Sequence, residues 1–242
     1  MLHCRASILI LVFFISEGVK VSAQGENNPY SKYGIGEMSN GNNAVLRGMG
    51  NITSVYKNAY VLNSDNPASY AYLERTTFEI GGTASTRTIN SSNYTYKTGT
   101  ASLSYLTIGF PVNKNAGISI GFKPYSQAYY YMADTVSYAT NPPSPIDSVR
   151  RNYQGQGGLN YAYLGAGARY KGVSFGFNLG YLFGTVRRVT SAVPIDKQKI
   201  NNAYTAAFID YLRFGGLHWK CGLMYETKLD SGYSLRLGGT FT

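Results

Sequence analysis

The sequence is short of charge, histidine, cysteine and long apolar runs, and each shortage removes a class of function. Charged residues make up 14% of the 242-residue chain, against roughly 25% in an average soluble protein. The hydrophobic share of 44% is ordinary, so the apolar residues are dispersed rather than concentrated. No run of about 18 apolar residues occurs, which excludes a transmembrane helix. Transmembrane strands stay open, because their lipid-facing residues recur only at every second position. The two histidines are His3 and His218. Acyl transfer needs a base beside a nucleophile, and a metal needs several ligands; neither set is present, so the chain reads as a non-enzyme with no metal and no cofactor. The cysteines are Cys4 and Cys221. Cys4 precedes an apolar core rather than closing it, which excludes a lipoprotein, and its removal leaves no internal disulfide.

The start has the form of an export signal. His3 and Arg5 supply a basic end, Ile8 to Ile15 an apolar core, and Val21-Ser22-Ala23 a small-residue cleavage point, so residues 1–23 are expected to be removed. Localisation in the outer membrane of a Gram-negative bacterium follows from the strands described next. The formal charge of +10 would suit nucleic acid, but the basic residues are scattered and an exported chain does not meet nucleic acid. A surface facing membrane lipid and lipopolysaccharide accounts for it.

What is abundant is tyrosine (23) and glycine (28), set in period-two alternation. Val173, Phe175, Phe177, Leu179, Tyr181 and Phe183 alternate with Ser174, Gly176, Asn178, Gly180, Leu182 and Gly184. Leu217, Trp219, Cys221, Leu223 and Tyr225 repeat the pattern, as do Tyr233, Leu235, Leu237, Gly239 and Phe241. The small face carries Gly, Ser, Asn and Thr instead of the Lys and Glu of a soluble sheet. Tyrosines at 129–131, 161 and 163 suit interfacial girdles. The fold class is therefore all-β, an antiparallel transmembrane β-barrel or part of one. Eight strands are predicted, over 76–86, 97–110, 116–132, 153–170, 173–187, 203–214, 217–229 and 232–242. Their connections alternate long and short, with tight turns at 113–115, Lys171-Gly172 and Gly215-Gly216, as in membrane barrels.

The alternation breaks twice. Leu103 and Tyr105 share one face while Leu106, Ile108 and Phe110 take the other, which a bulge near Tyr105 reconciles. Pro124 removes a ladder donor within the third strand, at Lys123-Pro124-Tyr125-Ser126. Residues 24–73, before the first strand of the 74–242 region, lack alternation and are dense in turn residues. They include Asn28-Pro29-Tyr30-Ser31-Lys32-Tyr33-Gly34-Ile35-Gly36, Arg47-Gly48-Met49-Gly50 and Asn66-Pro67-Ala68. The glycine pairs do not follow a strand and open a helix, so they are not phosphate cradles.

These motifs, with Thr77-Phe78-Glu79, resemble the outer-membrane transporter family for long-chain fatty acids and aromatic hydrocarbons, the FadL and TodX type, in its Bacteroidetes form. The resemblance implies an N-terminal hatch plugging a wide barrel, with Asn66, Pro67 and Ala68 as the hatch motif. It further implies a lateral exit at a kink in the third strand, here Pro124, Tyr125 and Ser126. Passive uptake of a hydrophobic small molecule is the function implied, with Leu106, Ile108, Leu182 and Met224 as candidate lumen-lining residues. The alternative is a scaffold or shuttle for secretion-system proteins. Eight strands close only a narrow barrel filled by side chains, so a plugged barrel predicts that this chain is the front part of a longer one.

Overall fold

The computed structural model describes residues 27–90, 95–137, 146–196, 205–230 and 232–242. The expected export segment and the middle of each long connection, including Pro142-Pro143, lie outside the described residues. The elements are β1 (Glu37–Met38), α1 (Ala44–Gly48), β2 (Thr77–Asn90), β3 (Thr95–Asn113), β4 (Ala116–Ser137), β5 (Ile146–Tyr170), β6 (Val173–Asp196), β7 (Ala206–Asp230) and β8 (Tyr233–Phe241), with 3₁₀ turns at Pro29–Lys32 and Pro67–Tyr72. The seven long strands form one antiparallel sheet in chain order, and β1 adds a short rung against β4. The sheet curls into a half-barrel. No helix among the described residues is long and apolar enough to cross a membrane.

Seven long strands replace the eight expected because Gly215-Gly216 is not a turn. The pair lies inside β7, opposite Phe183 and Leu182 of β6. A two-residue hairpin turn needs positive φ at one or both central residues. Lys171 and Gly172, at φ 45° and 88°, meet that need, and Gly215 and Gly216 are not among the positive-φ residues. The sixth connection falls instead between Asp230 and Tyr233, so the long-short alternation survives the lost strand. β4, β5 and β6 also run further into the long connections than period two alone suggested.

The predicted bulge is present. Gly81 of β2 pairs with Tyr105 and Gly82 with Leu103, leaving Ser104 as the extra residue of β3. Beyond it Tyr105 turns to one face, and Leu106, Ile108 and Phe110 turn to the other, opposite Phe122, Ile120 and Ile118 of β4.

The two faces differ as alternation requires. One carries Phe175, Leu179, Trp219 and Leu223, each about half exposed; Trp219 stacks between Phe177 and Phe241 at centroid distances of 6.3 and 5.5 Å. The other, the inner face, carries the buried Ser174 and Asn178 and is covered by residues 27–73. Tyr130, Tyr161 and Tyr163 are buried on this inner face, so they do not form the expected interfacial girdle. Their position follows from phase: Tyr161 and Tyr163 pair across the ladder with Leu182 and Gly180, both inner-face positions.

Candidate functional site

The inner face is shaped by glycines brought into line by register. Gly117 pairs with Gly167, Gly167 with Gly176, and Gly176 with Gly222, a transverse row across β4, β5, β6 and β7. With no side chains, the row forms a trough, and the 3₁₀ turn Pro67–Tyr72 lies in it. A Cβ on Gly176 would overlap the Pro67 and Ala68 backbone, one on Gly117 the Tyr70 carbonyl, and one on Gly222 the Asn66 side chain.

The turn is built by local chemistry. The Asn66 side-chain oxygen accepts from the Ala68 N–H at 3.1 Å, and Pro67 occupies the first position, where no N–H is needed. Asn66 Nδ2 donates to the Ser54 carbonyl at 2.5 Å. Asn63 ties the preceding loop together. It donates to the Thr53 and Tyr56 carbonyls at 2.6 and 3.2 Å and accepts from the Asp65 and Asn66 N–H groups at 3.2 and 3.3 Å. Both asparagines are fully buried. Apolar packing adds Leu62 and Leu73, which fill the space over Gly109.

Charged groups fasten the segment to strand after strand. Glu37 accepts from Arg87 of β2 at 3.0 Å. Arg47 donates to Thr83 of β2 at 2.7 Å, Glu79 of β2 accepts from the Leu62 N–H at 2.9 Å and from Asn43, and Lys57 pairs with Glu226 of β7. Asn178 of β6 donates to the Ser64 carbonyl at 3.0 Å.

Asp65 is the centre of this set. Its Oδ1 lies 3.3 Å from Lys123 Nζ of β4 and 3.1 Å from Lys220 Nζ of β7. Burial raises the carboxyl pKa, but the charges of Lys123 and then Lys220, with hydrogen bonds from both, outweigh that and hold it below the ordinary value. A cavity of about 380 Å³ opens beside the three charges, walled also by Met38, Pro124, Tyr125, Tyr161 and His218. The His218 ring sits edge-on to Tyr161 and Tyr125 at 4.8 and 5.6 Å. Among the described residues no group of His, Cys, Asp and Glu could hold a metal.

Next to this cavity the sheet parts. The β3–β4 ladder runs from Asn113–Ala116 to Leu106–Phe122, and the β4–β5 register shifts between Pro124 and Ser126. The N-terminal segment takes the β4 edge that β3 leaves. Ser39 N–H donates to the Tyr125 carbonyl and Asn28 N–H to the Tyr129 carbonyl, both at 2.9 Å, while Ser126 Oγ donates to the Ile35 carbonyl at 2.7 Å. Gly36, at φ 93°, lies where a Cβ would meet the Gln127 carbonyl.

The structure thus gathers Asn66, Pro67 and Ala68 in the trough and puts Pro124, Tyr125 and Ser126 at the parting of β3 from β4. Leu182 and Met224 lie on the inner face, in register with Tyr161 and Ser174. Leu106 and Ile108 do not line the interior, because the Ser104 bulge turns them to the opposite face. The Asp65–Lys123–Lys220 cluster escaped the sequence reading. Its one signal there is that Lys123 and Lys220 fall on inner-face positions of their strands.

The sequence model of one family, BamG, matches residues 4–242. The chain belongs to the BamG family. This corrects the resemblance to the FadL and TodX transporters, since BamG is a different family, related to the outer-membrane BAM complex. Asn66-Pro67-Ala68 misled because it encodes an N-capped turn with proline in first position, a local device open to any chain that seats such a turn. No curated protein and no solved structure matches the chain. BamG membership and the all-β half-barrel fit an outer-membrane-associated protein.

Proposed function

We propose that this BamG-family chain is an outer-membrane scaffold serving the BAM complex. Its bulky face lies in lipid and residues 27–73 act as a fixed plug on the inner face. The observation that carries the reading is the fastening of that segment to β2, β4, β6 and β7 through Arg87, Lys123, Asn178 and Glu226. A segment held at so many points braces the curvature of the sheet. An apolar face of this extent belongs against lipid or another protein, because soluble monomers rarely expose one. The basic surplus suits anionic lipid at the membrane surface.

The test is purification of the tagged full-length protein from native outer membranes in mild detergent. BAM-complex proteins are expected to copurify at near-stoichiometric levels. Recovery of the protein without them, together with an unchanged outer-membrane protein profile in a deletion strain, would refute the scaffold reading.

A second reading, uptake of a hydrophobic compound with lateral exit at Pro124 to Ser126, is favoured by one feature, the parting of β3 from β4 at Leu106–Phe122. Pro124→Ala in the full-length protein is then expected to slow uptake of a labelled long-chain fatty acid. Equal uptake by the deletion strain removes this reading.

A further inference from the structure

The cavity beside Asp65 has more positive charge than its one carboxylate balances. Lys123 and Lys220 both approach the same oxygen, Asp65 Oδ1. Lys123 also donates to Ser64 Oγ at 3.2 Å. An ammonium group has three N–H donors; among the described residues Lys220 uses one, on Asp65. Both side chains are mostly buried, at 13% and 20% exposure, so solvent replaces the missing partners poorly and an unbalanced charge there is costly. Among the described residues the cavity wall adds no second acid. The remaining wall is suited to an organic or inorganic anion, with the Tyr125 and Tyr161 rings around His218 and the Ser39, Asn40 and Asn42 side of the N-terminal segment. Pro124 and Tyr125 place the cavity beside the parting of β3 and β4, where β1 pairs with the β4 edge at Gln127 and Ser126.

We infer that this cavity is a binding site for one oxyanion group, a phosphate or carboxylate, held by Lys220 and Lys123. The group is either a free small anion or the head of a single-chain amphiphile. The site does not depend on whether the chain serves the BAM complex.

Lysine acylation footprinting on the full-length wild-type protein in non-ionic detergent tests this, with inorganic phosphate and dodecyl phosphate as separate probes and the exposed Lys114 as internal control. The expected result is saturable protection of Lys220 and Lys123 and none of Lys114. Protection by both probes assigns the site to the anionic group itself, and protection by dodecyl phosphate alone assigns it to an amphiphile head. Lys220→Met is expected to weaken binding about tenfold, the loss of one charge-assisted hydrogen bond, whereas Lys114→Met leaves it unchanged. Protection of none of the three lysines, or of all three equally, overturns the proposal in the wild-type protein, whatever the variants do.

Discussion

Replacing Gly176 by valine is expected to lift the Pro67–Tyr72 turn off the sheet and to lower unfolding stability in detergent by about 3 kcal/mol. The reason is the kind of atom the new side chain meets. A Cβ at this position overlaps main-chain atoms of Pro67 and Ala68, and main chain held by Asn66 and Asn63 cannot swing aside as a flexible side chain would. Gly176 also has glycine neighbours on both sides, Gly167 and Gly222, so the added bulk rests on a row with no side chain to trim. Gly216, on the same face, has no atom within 4 Å of a built Cβ. Gly216→Ala is therefore expected to stay within about 0.5 kcal/mol of wild type. Chemical unfolding followed by the single tryptophan, Trp219, reads both variants. Equal stability of Gly176→Val and Gly216→Ala would mean that the turn does not lie in the glycine trough.

Asp65→Asn is expected to cost about 3 kcal/mol, because it strands two largely buried ammonium groups beside each other instead of removing a balanced pair. The same substitution carries a pH signature. Asp65 has a pKa held below the ordinary carboxylate value, so its contribution is complete above about pH 4 and is lost as pH falls through the depressed value. Wild type is expected to lose stability on that acid side, and the Asp65→Asn variant to lose less of it. A difference between the two proteins that stays constant from neutral pH down to about pH 2 would show that the carboxylate charge does not hold the segment.

Much of the sheet was legible because a strand writes its two faces into alternate residues. Residues 173–183 and 217–225 state which side is bulky, Lys171-Gly172 states a turn through its φ requirements, and the phase change after Tyr105 states a bulge. Gly215-Gly216 was not legible, since two glycines in a row look the same whether they turn the chain or make room beside Tyr181, whose hydroxyl lies 2.6 Å from a Cβ built on Gly215. The inner site was hidden for a different reason. Asp65 meets Lys123 and Lys220 across sequence separations of 58 and 155 residues, and the four glycines of the trough become neighbours only through the register of three ladders. Period-two patterning fixes the face of each residue but not its row, and the row is what assembles both trough and charge cluster. Short turn motifs such as Asn66-Pro67-Ala68 report local backbone chemistry, whereas the family match over residues 4–242 draws on the whole chain.

In the proposed arrangement the bulky face of the sheet lies in lipid while the opposite face is covered by the chain's own N-terminal segment. A nitroxide scan along β6, from Val173 to Phe183, tests it most directly when made on the full-length protein in proteoliposomes with Cys4 and Cys221 replaced by serine. Collision rates with dissolved oxygen are expected to alternate with period two, high at Phe175, Phe177, Leu179 and Tyr181 and low at Ser174 and Asn178, with Gly176 left unlabelled because a side chain there would overlap the turn. Accessibility to a water-soluble relaxation agent is expected to stay low across the whole span. High accessibility to that agent at Phe175, Phe177 and Leu179, or the loss of alternation, would show that the bulky face does not lie in lipid.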